Sequence, residues 1–173
     1  PRLGVGITGS SGLIGSALKP FLSTGGHSIT EITRSQNVSP SRERISWNPG
    51  CDDQLCAFGE GLDAVIHLGA ENIGVRRWTK KQKAELRDSR VTRTRSLCEA
   101  LASLRHPPQA LLAASAVGYY GGTGESVCEE SASNGSGFLA QLAADWEAAT
   151  QPAKDAGIRV VHLRFGVVLS PRG

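Results

Sequence analysis

Short apolar runs alternate along this chain with longer stretches whose apolar residues return every three or four positions, the pattern of strands alternating with helices. Leu3-Gly4-Val5-Gly6-Ile7-Thr8 reads as a short buried strand. A helical stripe follows through Leu13, Ile14, Ala17, Leu18, Phe21 and Leu22, and Gly25-Gly26 ends it. Ser28 to Thr33 and Arg44 to Trp47 read as the second and third strands, with a Ser- and Pro-bearing loop from Gln36 to Glu43 between them and the stop Asn48-Pro49-Gly50 after them. Cys51 to Gly61 holds a short helix, and Asp63 to Leu68 is the plainest buried strand of the chain. A long charged helix is expected from about Thr79 to Leu104, with Leu86, Val91, Thr94, Leu97 and Leu101 on or near one face and Pro107-Pro108 as its stop. Ala110 to Ser115 is a fifth strand, Phe138 to Thr150 a helix, and Ile158 to Phe165 a sixth strand.

Six strands alternating with helices imply a doubly wound α/β domain of the Rossmann type, a parallel sheet covered on both faces. The expected strand order is 3-2-1-4-5-6, with a ligand at the carboxyl ends where strands one and four diverge. Nothing marks an internal boundary, so residues 1–173 read as one nucleotide-binding domain. Pro1-Arg2-Leu3 reaches strand-like text at once and without a Met, which reads as a trimmed start or a domain cut from something larger.

Composition narrows the partners. Hydrophobic content of 39% with 20% charged residues is that of an ordinary globular domain. A net charge of +3 is too small to point to nucleic acid or a membrane surface. No apolar run approaches the roughly 20 residues that span a bilayer, and no signal segment opens the chain. The basic stretch 76–95 holds nine Lys or Arg but only Trp78 as an aromatic, so it reads as a solvated helix face rather than a nucleic-acid surface. Cys51, Cys56, Cys98 and Cys128 form no CxxC and have no His at zinc spacing; free thiols in a reducing cytoplasm, with no metal, are expected.

The candidate chemistry lies in Thr8-Gly9-Ser10-Ser11-Gly12-Leu13-Ile14-Gly15, between the first strand and first helix. A diphosphate needs backbone N–H donors and no intruding side chains, and a helix N-terminus adds favourable charge. Gly9 suits the tight turn, Gly12 a close phosphate approach, and Gly15 close packing of helix on sheet. Ser10 and Ser11 offer hydroxyls, and Leu13 and Ile14 bring the first helical amides. The spacing is GxxGxxG, and with 21 glycines in the chain the triplet carries weight only because a strand precedes it and an amphipathic helix follows. At the end of the second strand, where an acidic residue binds the ribose hydroxyl of NAD, stand Thr33-Arg34-Ser35. A guanidinium suits a 2′-phosphate, so NADP(H) is expected over NAD(H), while Glu31, two residues earlier, reads as solvent-facing or a secondary contact.

Further marks follow in order: His67-Leu68-Gly69-Ala70-Glu71-Asn72-Ile73, Arg76-Arg77-Trp78-Thr79, Asp88-Ser89-Arg90-Val91 with Thr94, Ser115-Ala116-Val117-Gly118-Tyr119-Tyr120-Gly121, Asp145-Trp146-Glu147 and Arg164-Phe165-Gly166-Val167-Val168-Leu169. With the glycine loop they resemble the atypical and extended short-chain dehydrogenase/reductases, the NAD-dependent epimerase/dehydratase superfamily, and within it the SDR39U-like branch. The resemblance implies that Leu68, Gly69 and Ala70 pass beside the adenine ribose and diphosphate. It places Arg90 where the superfamily's long helix carries an Asn facing the cofactor, with Glu85 about one and a half turns earlier as a further candidate.

Enzymes of this superfamily exchange a proton through a Ser or Thr and a YxxxK pair while hydride moves to or from nicotinamide. Neither Tyr119 nor Tyr120 begins YxxxK here. Aligned on Glu147, the Tyr and Lys positions are Leu139 and Ala143; aligned on Tyr120-Gly121, the hydroxyl position is Ala116, with Ser115 beside it. Tyr119, Tyr120 and Ser115 are the candidate replacements, against the alternative that the tyrosines pack in a pocket wall and Ser115 caps its strand. The resemblance also implies a substrate-binding region beyond the Gly-Val-Val-Leu segment, most of which these residues lack. The expectation is an NADP(H)-binding epimerase or oxidoreductase acting on an unknown small molecule, a nucleotide sugar among the classes; the alternative is a catalytically silent dinucleotide-binding or sensor protein.

Overall fold

Six strands, β1 (Gly4–Thr8), β2 (Ser28–Thr33), β3 (Arg44–Ser46), β4 (Ala64–His67), β5 (Ala110–Ala116) and β6 (Arg159–Phe165), form one sheet in the order β3-β2-β1-β4-β5-β6. Every neighbouring pair is parallel, as the sequence pattern predicts. The structure is a computed structural model describing residues 1–35, 41, 43–50, 53–74 and 76–171, apart from the side chains of residues 54 and 58. Most of the loop expected over Gln36 to Glu43, and Cys51, lie outside these residues.

Strand alternation divides the core between the two faces. Val5, Ile7 and Ile66 face one way, where Leu18 and Leu22 of α1 (Leu13–Thr24) cover them. Val65 and Leu111 face the other way, into a larger cluster with Leu55 of α2 (Asp53–Phe58) and Leu97 and Leu101 of α4 (Arg93–Ala102). Full burial of each large aliphatic side chain is worth about 1.5–3 kcal/mol, so the two layers fix which helix covers which face. No helix among the described residues is long and apolar enough to cross a membrane.

Two helical stretches depart from the expected single helices. The long charged helix is α3 (Lys80–Arg87), a π-helical turn (Asp88–Thr92) and α4 in unbroken succession. The wide turn carries the buried Ser89 and Arg90, which a regular helical stripe of apolar residues cannot reveal. After α5 (Phe138–Ala148) the chain turns into a separate short helix, α6 (Gln151–Asp155). Pro152 lies at its start, where a residue without an N–H cannot prolong the preceding helix. A 3-10 turn (Val117–Tyr120) directly follows β5.

Candidate functional site: the glycine loop and the cleft beside it

The loop between β1 and α1 is shaped by two glycines that no other residue replaces. Gly9 has φ +67°, and a Cβ there would lie 2.9 Å from the Gly69 nitrogen. A Cβ on Gly15 would lie 2.4 Å from the Gly9 carbonyl oxygen and 2.8 Å from the Ser10 Cα. Gly15 therefore lets α1 press on the loop itself, rather than on the sheet as expected. The Gly12 N–H closes the turn on the Gly9 oxygen at 3.0 Å. At its start α1 has no capping side-chain hydrogen bond and no acidic residue in its first turn. The amides of Leu13 and Ile14, at that first turn, lack a helical carbonyl to bond.

Ser10 is buried, and its hydroxyl donates to Glu31 at 2.8 Å. Glu31 also takes Lys19 at 2.9 Å and Arg44 at 3.5 Å. Burial raises the Glu31 carboxyl, but hydrogen bonds from Lys19 and Ser10 and the charges of Lys19 and Arg44 outweigh it and hold the group below its ordinary value. Glu31 is thus no solvent-facing residue: it ties the loop to β2, β3 and α1, and the Ser10 proton is already committed to it. Ser11 is exposed.

The opposite wall, at the fork between β1 and β4, rests on a buried chain of polar groups. Thr8 Oγ1 receives the amides of Leu68 and Gly69, each at 3.1 Å, and meets His67 Nδ1 at 2.6 Å. His67 Nε2 meets Thr94 Oγ1 at 2.9 Å, and the Trp146 indole N–H donates to that same oxygen at 2.9 Å. With both amides pointing at Thr8 Oγ1, its own proton goes to His67 Nδ1. The imidazole then carries its proton on Nε2 and donates it to Thr94. Burial pushes the His67 pKa down to about 4, so the ring is neutral in this chain. The relay joins the fork of the sheet to α4 and α5.

A cleft of about 380 Å³ lies between these walls. Of the expected cofactor residues, Gly9, Ser10, Ser11 and Gly12 line it on one side and Leu68, Gly69 and Ala70 on the other, with Thr33 and Arg34 at its far end. Leu13, Ile14, Glu85 and Arg90 are not among its lining residues. Arg90 is buried instead: it donates to the Glu71 carbonyl at 2.8 Å and lies over the Trp146 ring at 5.1 Å. Burial lowers its pKa while the Glu71 charge raises it, with a net lowering. Arg90 thereby braces the segment after β4. Glu85 is half-buried on α3. Ile32, Trp47 and Arg93 join the lining without having been singled out, as does His67 of the motif at the end of the fourth strand, because only tertiary packing brings these separated positions to one cleft. No carboxylate side chain lines it among the described residues.

Ser115, Tyr119 and Tyr120 come together elsewhere, around one ion pair. Arg164 grips Glu147 through Nε and Nη2, both at 2.8 Å, and its Nη1 donates to the Tyr120 hydroxyl at 2.8 Å. Its guanidinium lies 3.7 Å from the centre of the Tyr119 ring. Ser115 donates to Glu147 at 2.6 Å. Burial raises the Glu147 carboxyl, but bonds from Arg164 and Ser115 and the charges of His162 and Arg164 hold it below its ordinary value, and the Arg164 pKa is raised in turn. None of the three candidates lines the glycine-loop cleft; Tyr120 opens on a separate hollow with Cys128 and Phe165. On α5, Leu139 lies against Gly118 and Ala143 is buried, so no tyrosine–lysine pair faces the turn after β5. Cys56, Cys98 and Cys128 are free thiols, burial pushing Cys98 up to about 12, and the described residues hold no cluster of potential metal ligands.

A parallel sheet in this order, with a glycine-rich turn at its fork, defines the dinucleotide-binding class of α/β domains. The family model described as "NAD dependent epimerase/dehydratase family" matches residues 5–173, and the chain belongs to that family. It is 47% identical over 169 residues to the epimerase family protein Mb2239 of Mycobacterium bovis, covering 98% of this chain and 55% of the relative. The chain thus spans about half the length of the curated relatives it matches. Among solved structures it resembles the nucleoside-diphosphate sugar epimerase of Corynebacterium glutamicum, at TM-score 0.83 and 38% identity, over 100% of this chain and 36% of that one. The human epimerase family protein SDR39U1 (isoform 2), solved with NADPH, matches at TM-score 0.83 and 32% identity, over 99% of this chain and 56% of that one.

Proposed function

We propose that this chain binds NADP(H), as the dinucleotide-binding part of an epimerase- or oxidoreductase-type protein acting on a small molecule of the nucleotide-sugar class. The observation that carries the reading is the lining of the cleft: amide-rich glycine turns at one end, Arg34 at the other, and no carboxylate side chain among the described residues that line it. A ribose 2′-hydroxyl calls for a carboxylate acceptor there, whereas a 2′-phosphate calls for cations. The NADPH of the human relative and the likeness to a bacterial nucleoside-diphosphate sugar epimerase support the same reading. Gly9, Gly12, Leu13 and Ile14 would hold the diphosphate through their amides, Thr33 and Arg34 the adenosine phosphate. The bound nicotinamide supplies hydride chemistry. The chain's own part is to orient the dinucleotide and to leave room at the glycine turn for its diphosphate.

Titration calorimetry tests this. NADPH is expected to bind at least about tenfold more tightly than NADH, and Arg34→Ala to weaken NADPH about tenfold while leaving NADH within about twofold, the loss of one partly exposed charged hydrogen bond. Equal affinities for the two, unchanged in the variant, contradict it.

A second reading, a catalytically silent dinucleotide-binding protein, draws on Leu139 and Ala143 at the superfamily's proton-transfer positions and on the commitment of Ser115 to Glu147. Single-turnover NADPH oxidation by the full-length protein, against carbonyl and nucleotide-sugar substrates, separates the two.

A further inference from the structure

We infer that Arg93 is a second specificity residue for the 2′-phosphate, acting across the cleft with Arg34. The inference rests on the NADP(H) reading and adds a residue to it. Arg93 is the first residue of α4, far in sequence from the strand end that carries Arg34. Both nevertheless line the glycine-loop cleft, and both line an adjoining hollow of about 600 Å³ together with Ser35. Among the described residues, these three are the ones the two hollows share.

The π-helical turn sets this position. One extra residue in a turn rotates everything after it by about 100° relative to a regular helix. Thr94 is then fixed by His67 and the Trp146 indole, which fixes the backbone of its neighbour Arg93 beside the cleft. Most of the basic stretch 76–95 remains a solvated face; Arg93 is distinguished by lining the cleft and by its lower exposure, 30% against 53% for both Arg87 and Arg95.

The ion pairs leave both arginines donors to spare. Arg93 meets Asp88 with Nε at 3.4 Å, and Arg34 meets Glu71 with Nη1 at 3.3 Å. Pairs of this length near solvent are weak, and a dianionic phosphate competes well for the guanidinium N–H groups. A phosphate between two arginines from different elements is held from two sides. NADH, lacking that group, gains nothing from the second.

The test is calorimetric titration of NADPH and NADH into the wild type, Arg34→Ala, Arg93→Ala, Arg93→Lys and the double alanine variant, with circular dichroism melts to establish that each is folded. Arg93→Ala is expected to weaken NADPH about tenfold and NADH less than twofold; Arg93→Lys recovers part of the loss, and the double variant loses nearly all preference. Equal weakening of both nucleotides by Arg93→Ala overturns the proposal, since it assigns Arg93 to adenine or to folding. An unchanged NADPH affinity overturns it too, returning Arg93 to the solvated face. If the wild type prefers NADPH and only Arg34→Ala removes the preference, this proposal fails while the NADP(H) reading stands. If the wild type shows no preference, the NADP(H) reading itself fails and takes this one with it.

Discussion

Gly15→Ala is expected to abolish tight dinucleotide binding, weakening it about a hundredfold or more, which corresponds to about 2.7 kcal/mol. The added methyl has no room: its position is 2.4 Å from the Gly9 oxygen and 2.8 Å from the Ser10 Cα, both backbone atoms that no side-chain rotation can move aside. Either α1 retreats or the loop lifts, and in both cases the amides that face the phosphates lose their convergence. Overpacking of this kind also costs about 1–3 kcal/mol of stability. Gly26→Ala is the matching control. Gly26 has φ +84° but open space around its Cβ, so its replacement strains the backbone by roughly 1 kcal/mol and leaves binding unchanged. Calorimetry on the two variants checks the contrast. Wild-type affinity in Gly15→Ala means that the loop does not carry the ligand.

The second large effect concerns pH. His67 is buried and neutral in the fold, with a pKa of about 4, against an ordinary value of 6.5 in the unfolded chain. The unfolded state therefore binds the proton first. The stability that the neutral ring contributes is fully present above about pH 6.5 and is lost as the pH falls through the folded pKa near 4. The shift amounts to about 3 kcal/mol by pH 4. Protonation also breaks the relay, because a proton on Nδ1 opposes the one that Thr8 donates, and Thr8 Oγ1 already receives two amides. His67→Asn removes this titration at a cost of about 2 kcal/mol at neutral pH, the price of a disturbed buried hydrogen-bond pair. Urea unfolding at pH 7, 5.5 and 4.5 is expected to show a steeper loss in the wild type than in the variant. Carboxylates such as Glu31 and Glu147 titrate alike in both, so the difference isolates His67. Parallel loss in the two proteins contradicts the assignment.

How much of this was legible in the sequence follows from the range of each interaction. The strand order and the glycine turn come from local patterns, since buried strands alternate with amphipathic helices and a phosphate turn needs consecutive small residues. The place of Arg34 beside the cleft was legible because the end of the second strand is fixed once the glycine turn is placed. Whether Glu31 faces solvent or makes a secondary contact stayed open in the sequence, because its partners Ser10, Lys19 and Arg44 reach it only through tertiary packing and the parallel register of β1, β2 and β3. The π-helical turn left no trace, since one extra residue in a charged helix does not disturb an apolar stripe that is already sparse. Arg93 stayed hidden with it, and so did the contacts of Arg90 with the Glu71 carbonyl and the Trp146 ring. The bonds of Ser115 to Glu147 and of Tyr120 to Arg164 were not legible, because nothing in their own segment announces these partners, which arrive from α5 and β6.

The central claim is that the amides of the turn from Gly9 to Ile14 hold the diphosphate. The most direct measurement is a nitrogen–proton correlation spectrum of the labelled chain during titration with NADPH. The largest shifts are expected at Gly9, Gly12, Leu13, Ile14 and Gly69, saturating together at one affinity. Shifts concentrated instead on the hollow beside Glu60 and His106, or on the one beside Tyr120 and Cys128, with the glycine-loop amides unmoved, would contradict the account.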